Sequence, residues 1–183
     1  MSSMKLFTIG HSNHPIEKFI RLLEDNHVTH LVDVRSAPYS KYNIQFNKES
    51  LEHTLSTHKI KYIYGGKHLG GRPTDPTCYK NGNLPNPEAD YLHEVDYATV
   101  MQRPWFQKSI GHLLELAEKE VTAVMCSEED PAQCHRHHLI AKYLLAEFPE
   151  WEIQHIRGDG NLNNATSIHT SVNPPKGEQL SLF

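Results

Sequence analysis

The sequence predicts an α/β fold: an open, mainly parallel sheet of about five strands, helices on both faces, and a long insertion between strands three and four. Two observations carry this. Short apolar runs alternate with stretches of helical period along residues 5–156, the order that places parallel strands beside crossover helices. The chain has 183 residues and 38% hydrophobic content, enough for one domain with a real core.

Each element follows from its residues. Lys5 to Ile9 reads as a buried strand ending at Gly10. Pro15 suits the first turn of a helix whose apolar stripe is Ile16, Phe19, Ile20, Leu22 and Leu23. His30 to Val34 is a second strand, and Ser36 to Phe46 a loop. Asn47 is placed to cap a helix carrying Leu51 and Leu55. Ile60 to Tyr64 alternates as a third strand. The stretch from Gly65 to Glu88, with five glycines and four prolines, is the insertion. Helical signals return over Asp90 to Met101 and Pro104 to Lys119. Val121 to Cys126 is the fourth strand. Asp130-Pro131 then opens a helix through Leu139, Ile140 and Leu144, and Trp151 to Ile156 is the fifth strand. From Arg157 to Glu178 no period survives, and the composition is that of a flexible tether. The expected organisation is therefore an α/β domain over 1–157, a tether over 158–178 and a terminal motif over 179–183.

Bulk properties narrow the function. A net charge of −4 excludes a histone-like nucleic-acid binder. Yet between His53 and Asn83 five basic side chains face Asp75 alone, a segment suited to phosphates. No run reaches the roughly 20 apolar residues of a membrane span, and no secretory signal opens the chain. Three cysteines, an odd count, read as reduced thiols. The expectation is a cytoplasmic protein without a membrane partner.

Ligands of open parallel sheets bind beyond the carboxyl ends of the strands. Here those ends deliver polar groups to one edge. His11 and Ser12 follow the first strand, Asp33 and Arg35 the second, Tyr62 and Arg72 the third. Cys126 and Glu128, then Cys134, His135 and Arg136, follow the fourth. The candidate catalytic residues are His11, Ser12, Asp33, Cys126 and Glu128. The candidate substrate-binding residues are Arg35, Tyr62, Arg72, Cys134, His135 and Arg136.

Several readings of these groups stand open. Asp33 and Glu128 suit general acid/base hydrolysis of a glycosidic or phosphodiester bond, or a divalent metal such as Mg or Mn. Asp33 equally suits a buried ion pair that orients Arg35. Cys126 and Cys134 invite zinc, with a further ligand from afar, such as His11. Cys126 suits a nucleophile activated by His135 or His11, or a small buried core residue. Tyr39, Tyr42, Tyr62 or Tyr64 suit stacking on an extruded base.

Taken together, Thr8-Ile9-Gly10-His11-Ser12, Leu31-Val32-Asp33-Val34-Arg35, Leu69-Gly70-Gly71, Met125-Cys126-Ser127-Glu128, Cys134-His135-Arg136 and His155-Ile156 resemble the bacterial and archaeal family called domain of unknown function 488. The resemblance covers about residues 5–160. It implies that His11, Ser12, Asp33, Arg35, Cys126, Glu128, Cys134, His135 and Arg136 are the family's polar signature, and it implies no reaction.

The last five residues, Gln179-Leu180-Ser181-Leu182-Phe183, resemble the pentapeptide by which bacterial polymerases and mismatch-repair proteins dock on the DNA sliding clamp. Leu180, Leu182 and Phe183 would be apolar anchors and Gln179 a hydrogen-bonding rim residue. The expectation is a DNA-maintenance protein recruited by the clamp, with DNA as a further partner and a nucleoid-associated location. A non-catalytic nucleotide-binding adaptor and a thiol or zinc enzyme acting on a small molecule are the alternatives.

Overall fold

Five apolar segments each supply a row of backbone donors and acceptors that must pair, and a sixth, polar segment closes one edge. The computed structural model describes residues 4–168. Its strands are β1 (Met4–Gly10), β2 (His30–Asp33), β3 (Lys61–Tyr64), β4 (Thr122–Cys126), β5 (Trp151–Ile156) and β6 (Leu162–Asn164). They form one sheet in the order β3-β2-β4-β1-β5-β6. The first five are mutually parallel, and β6 runs antiparallel to β5. The α/β expectation therefore holds, with six strands in place of five. β6 and the 3-10 turn Ala165–Ser167 lie inside the stretch read as tether and carry the folded part to residue 168. The remainder of that stretch and the clamp-motif residues lie outside the described residues.

Side chains alternate along each strand, so the sheet has two different faces. On one face Leu6, Val32, Val124 and Ile153 pack with α6 (Pro104–Ala117) and α7 (Lys142–Glu147). On the other Phe7, Leu31, Met125 and Ile156 pack with α1 (Ile16–Asp25) and α2 (Lys48–Thr57). The insertion after β3 is not structureless. It holds the short helix α3 (Gly66–Leu69), a 3-10 turn at Pro76–Cys78, and two further short helices, α4 (Tyr91–Glu94) and α5 (Tyr97–Met101).

Two helix starts differ from expectation. Asn47 precedes α2, but its side chain accepts from Ser40 N at 2.7 Å and makes no cap bond. Asp130 does cap, accepting from Ala132 N, but the element it opens is a three-residue 3-10 turn, Pro131–Gln133. The chain then winds as a π-helix over Arg136–Ala141 before continuing as α7. That wider turn belongs to the site.

Candidate functional site

The ends of β1, β2 and β4 are sewn together by backbone bonds beyond the regular ladder. His11 N donates to Cys126 O (2.9 Å), Ser12 N to Ser127 O (2.8 Å) and Val34 N to Met125 O (2.9 Å). Gly10 makes this approach possible: a Cβ there would lie 1.7 Å from the Glu128 carbonyl oxygen. Beyond these ends opens a cleft of about 420 Å³, whose lining includes Arg35, Arg72, Tyr91, Cys126, Glu128, Cys134 and His135.

In this cleft Cys126 Sγ, Cys134 Sγ and a Glu128 carboxylate oxygen lie within 4.8 Å of one another. Among the described residues they form the single such group of potential metal-ligand atoms. Both cysteines are buried at 1% exposure, while Glu128 is exposed. Burial pushes the Cys126 thiol well up, reinforced by its neighbour Cys134. Burial also pushes the Glu128 carboxyl up, but its own backbone amide, the thiols of Cys134 and Cys126, and His135 more than offset that, and it titrates below its ordinary range. Two thiols and a carboxylate make a soft donor set that fits zinc. Magnesium and manganese prefer hard oxygen donors, of which this cluster offers one carboxylate, Glu128.

Behind the thiols sits Arg136, fully buried. Its Nη1 donates to Cys126 Sγ (3.0 Å) and Glu128 O (2.5 Å), its Nη2 to Glu129 O (2.7 Å) and its Nε to Thr8 Oγ1 (3.1 Å). Every one of these acceptors is uncharged while the thiol is protonated. The Glu129 carboxylate is turned to Arg157 (2.9 and 3.0 Å) and Gly158 N (2.9 Å), and the Arg157 bond holds its pKa down at about 2. No carboxylate lies within ion-pair distance of Arg136 among the described residues. A buried guanidinium favours an anionic neighbour, and thiolates at Cys126 and Cys134 would provide it.

The far side of Arg136 rests on a hydrogen-bond chain through Thr8, His155 and His137. Thr8 Oγ1 accepts from Arg136 and is hydrogen-bonded to His155 Nδ1 (2.6 Å). His155 Nε2 is in turn hydrogen-bonded to His137 Nδ1 (3.1 Å). Both rings are neutral: burial first, then nearby cations and imidazoles, lowers His155 to about 3 and His137 to about 4. Thr8 and His137 were absent from the sequence-based candidates. The signal for Thr8 was its alternation with Leu6, which puts it on the Cys126 face.

Several expected site residues sit elsewhere. Asp33 does not line the cleft. In parallel register it pairs with Met125, so it points to the opposite face from Cys126, and the expected partnership with Glu128 does not form. Its carboxylate accepts from Arg35 N, Nε and Nη2 (3.1, 2.9 and 2.6 Å) and from the Tyr62 hydroxyl (2.8 Å). The buried ion pair orienting Arg35 is the reading that fits. Tyr62 is likewise tied to Asp33, away from the cleft. Arg35 touches the cleft, but its donors serve Asp33, Phe46 O (2.8 Å) and His11 Nε2 (3.2 Å). Arg136, expected to hold phosphate, is sealed behind the thiols. Ser12 is outside the cleft, in a left-handed backbone conformation with φ 47°.

His11 cannot supply a metal ligand, since both ring nitrogens are engaged. Nδ1–H donates to Ser12 O (2.7 Å) and Nε2 accepts from Arg35, with the ring stacked on Phe46 at 4.4 Å. Burial lowers its pKa to about 4, so it is neutral. His135 donates Nε2–H to Val34 O (3.0 Å), and its Nδ1 faces Cys134 Sγ at 3.7 Å. Gly71 lies flat on that ring, where a Cβ would approach to 2.9 Å. Arg72 and His135 remain as expected, at the cleft.

Neither a curated protein nor a solved structure matches the chain. A family model does, over residues 15–144, a span that holds the thiol–carboxylate cluster and Arg136 and leaves out His11 and Ser12. That match covers more than two-thirds of the sequence, and the chain belongs to the family described as Domain of unknown function DUF488.

Proposed function

We propose that this protein is a zinc-dependent hydrolase acting on nucleic acid and delivered to DNA by the sliding clamp. One observation carries the catalytic half: Cys126, Glu128 and Cys134 converge within 4.8 Å in a cleft that can admit a substrate. Three protein ligands with room for another are the arrangement of catalytic rather than structural zinc sites. The chemistry zinc supplies in such a site is Lewis acidity toward a substrate oxygen and an acidified water.

The chain's own residues do the rest. Arg136 donates to Cys126 and to the carbonyls of residues 128 and 129, fixing the ligand loop and offsetting its negative charge. His135, with Nε2 committed to Val34, offers Nδ1 as a proton acceptor at the cleft wall. Arg72, exposed and without a carboxylate partner among the described residues, is placed to meet a phosphate.

The test is metal analysis of the purified protein together with a panel of damaged and modified oligonucleotides, single- and double-stranded, with and without chelator. About one zinc per chain is expected, lost in Cys126→Ser and Cys134→Ser, with product formation abolished by chelator. A second reading rests on the Cys134–His135 contact at 3.7 Å, where Arg136 N also donates to Cys134 Sγ at 3.4 Å: a thiol nucleophile without metal. Metal-free protein whose activity resists chelator but is lost on alkylation with iodoacetamide would favour it.

The recruiting half is supported by the tail sequence. Leu182→Ala with Phe183→Ala removes two anchors, each worth ~2 kcal/mol or more at a hot spot. A fluorescence-polarisation titration against purified clamp should lose binding while the circular dichroism spectrum is unchanged; undiminished affinity would rule the docking out.

A further inference from the structure

A band of aromatic and basic side chains leads from the surface into the cleft. It starts at Tyr42, 92% exposed, and Tyr39, 58% exposed, in the loop after β2. Next to them Lys48 holds its Nζ 5.5 Å over the ring of Tyr64, itself 38% exposed. The Tyr64 hydroxyl donates to Ser36 O (3.0 Å), and Ser36 Oγ accepts from Arg72 N (2.9 Å). Arg72 in turn lays its guanidinium 4.4 Å over the ring of Tyr91. Tyr39, Ser36, Arg72 and Tyr91 all line the cleft, so the band is continuous with the thiol–carboxylate centre.

Two features set this band apart from an ordinary polar surface. Its loop is pinned: Ser40 Oγ accepts from the amides of Tyr42 and Asn43, and Ser40 N donates to Asn47. Tyr42 is thus presented on a fixed backbone, although nothing in the fold covers it. The acids nearby are also engaged. Glu49 accepts from the Tyr39 hydroxyl (2.9 Å), and Asp90 is turned to Leu92 N and His93. Lys48 takes one face of Tyr64 and Arg72 one face of Tyr91, so what is left to a ligand is the open rings of Tyr42 and Tyr39 and the exposed part of Tyr64, with both cations beside them.

We infer that this band is a binding track for single-stranded nucleic acid, with bases stacked on Tyr42, Tyr39 and Tyr64 and phosphates met by Lys48 and Arg72. Unpaired bases expose the faces that such rings require, whereas a duplex buries them. The track rests on the proposed nucleic-acid substrate, and it leads to the cleft.

The experiment is fluorescence anisotropy of the full chain with labelled single-stranded DNA, single-stranded RNA and duplex of the same sequence, with chelator present to prevent turnover. Single strands should bind at least about tenfold tighter than duplex, and Tyr42→Ala or Tyr64→Ala should weaken them roughly tenfold, the scale of one lost base stack. Tyr42→Phe should restore binding, since it keeps the ring. Lys48→Gln should lower the slope of log affinity against log salt by about 0.7, one phosphate contact on a single strand. Equal affinity for wild type and both alanine variants, or a preference for duplex, overturns the track while leaving the zinc centre intact. Oligonucleotide binding that survives Cys126→Ser, with no product from wild type on any substrate, upholds the track and removes the hydrolase.

Discussion

Arg136→Ala should destabilise the protein by about 3–5 kcal/mol, the scale of several buried acceptors losing their donor at about 1–3 kcal/mol each, and should abolish zinc retention. The guanidinium bridges Thr8 on β1, Cys126 on β4 and the carbonyls of residues 128 and 129 in the loop that follows. Alanine would leave those acceptors without their donor and a cavity beside the thiols, and unpaired buried polar groups each cost about 1–3 kcal/mol. Arg136→Lys separates charge from geometry. A lysine ammonium supplies the charge but not the planar fork, so it should recover part of the stability and little of the metal affinity. Urea denaturation and competition with a zinc chelator measure the two effects. A loss below about 1 kcal/mol for the alanine variant would show that the network contributes far less than its burial implies.

Acid should unfold this protein early. His11, His137 and His155 are buried as neutral rings, with pKa values lowered to about 4, about 4 and about 3, chiefly by burial. In the unfolded chain each titrates near its ordinary value of about 6.5, so unfolding takes up protons below that pH. Their contribution is therefore complete above about pH 6.5 and is lost progressively as pH falls toward the folded values. Each ring costs up to ~1.4 kcal/mol per pH unit in that window, and three together approach the whole stability of an ordinary domain. Urea midpoints at pH 7, 6 and 5 should fall steeply, and His155→Gln should flatten the slope. A midpoint independent of pH over that range would contradict the buried neutral assignment.

How far the sequence revealed this arrangement depends on the kind of interaction. β1 to β5 were legible because each is an apolar run bounded by polar turns. β6 was not: Leu162-Asn163-Asn164 is short, polar and half-exposed, as an edge strand can be when one face meets water. The sheet edge was legible as the place where polar groups gather, but the pairing of groups across it was not. Asp33 and Glu128 looked like partners because both follow strands. The register Asp33↔Met125 turns Asp33 away from Cys126, and register between distant strands leaves no local trace in sequence. Arg136 is a different case. Its spacing to Leu139 and Ile140, three and four residues on, would place it on the apolar face of an α-helix, but beside Cys134 and His135 it read as an anion-binding group, and the π turn that seats it left no local signal. The aromatic band was partly visible as Tyr39, Tyr42 and Tyr64, while Tyr91 comes from the far side of the insertion, beyond any sequence pattern.

The wide turn at Arg136–Ala141 has a consequence for how this protein can change. An α-helix advances by ~100° per residue, and a π turn holds one more residue than an α turn. Excising a single residue there would regularise the helix, a substitution-free route to higher intrinsic stability. It would also rotate everything before the excision by roughly that angle relative to α7, swinging the guanidinium off the sulfur it supports. Drift toward an ideal helix is thus closed to any descendant that keeps the thiol centre.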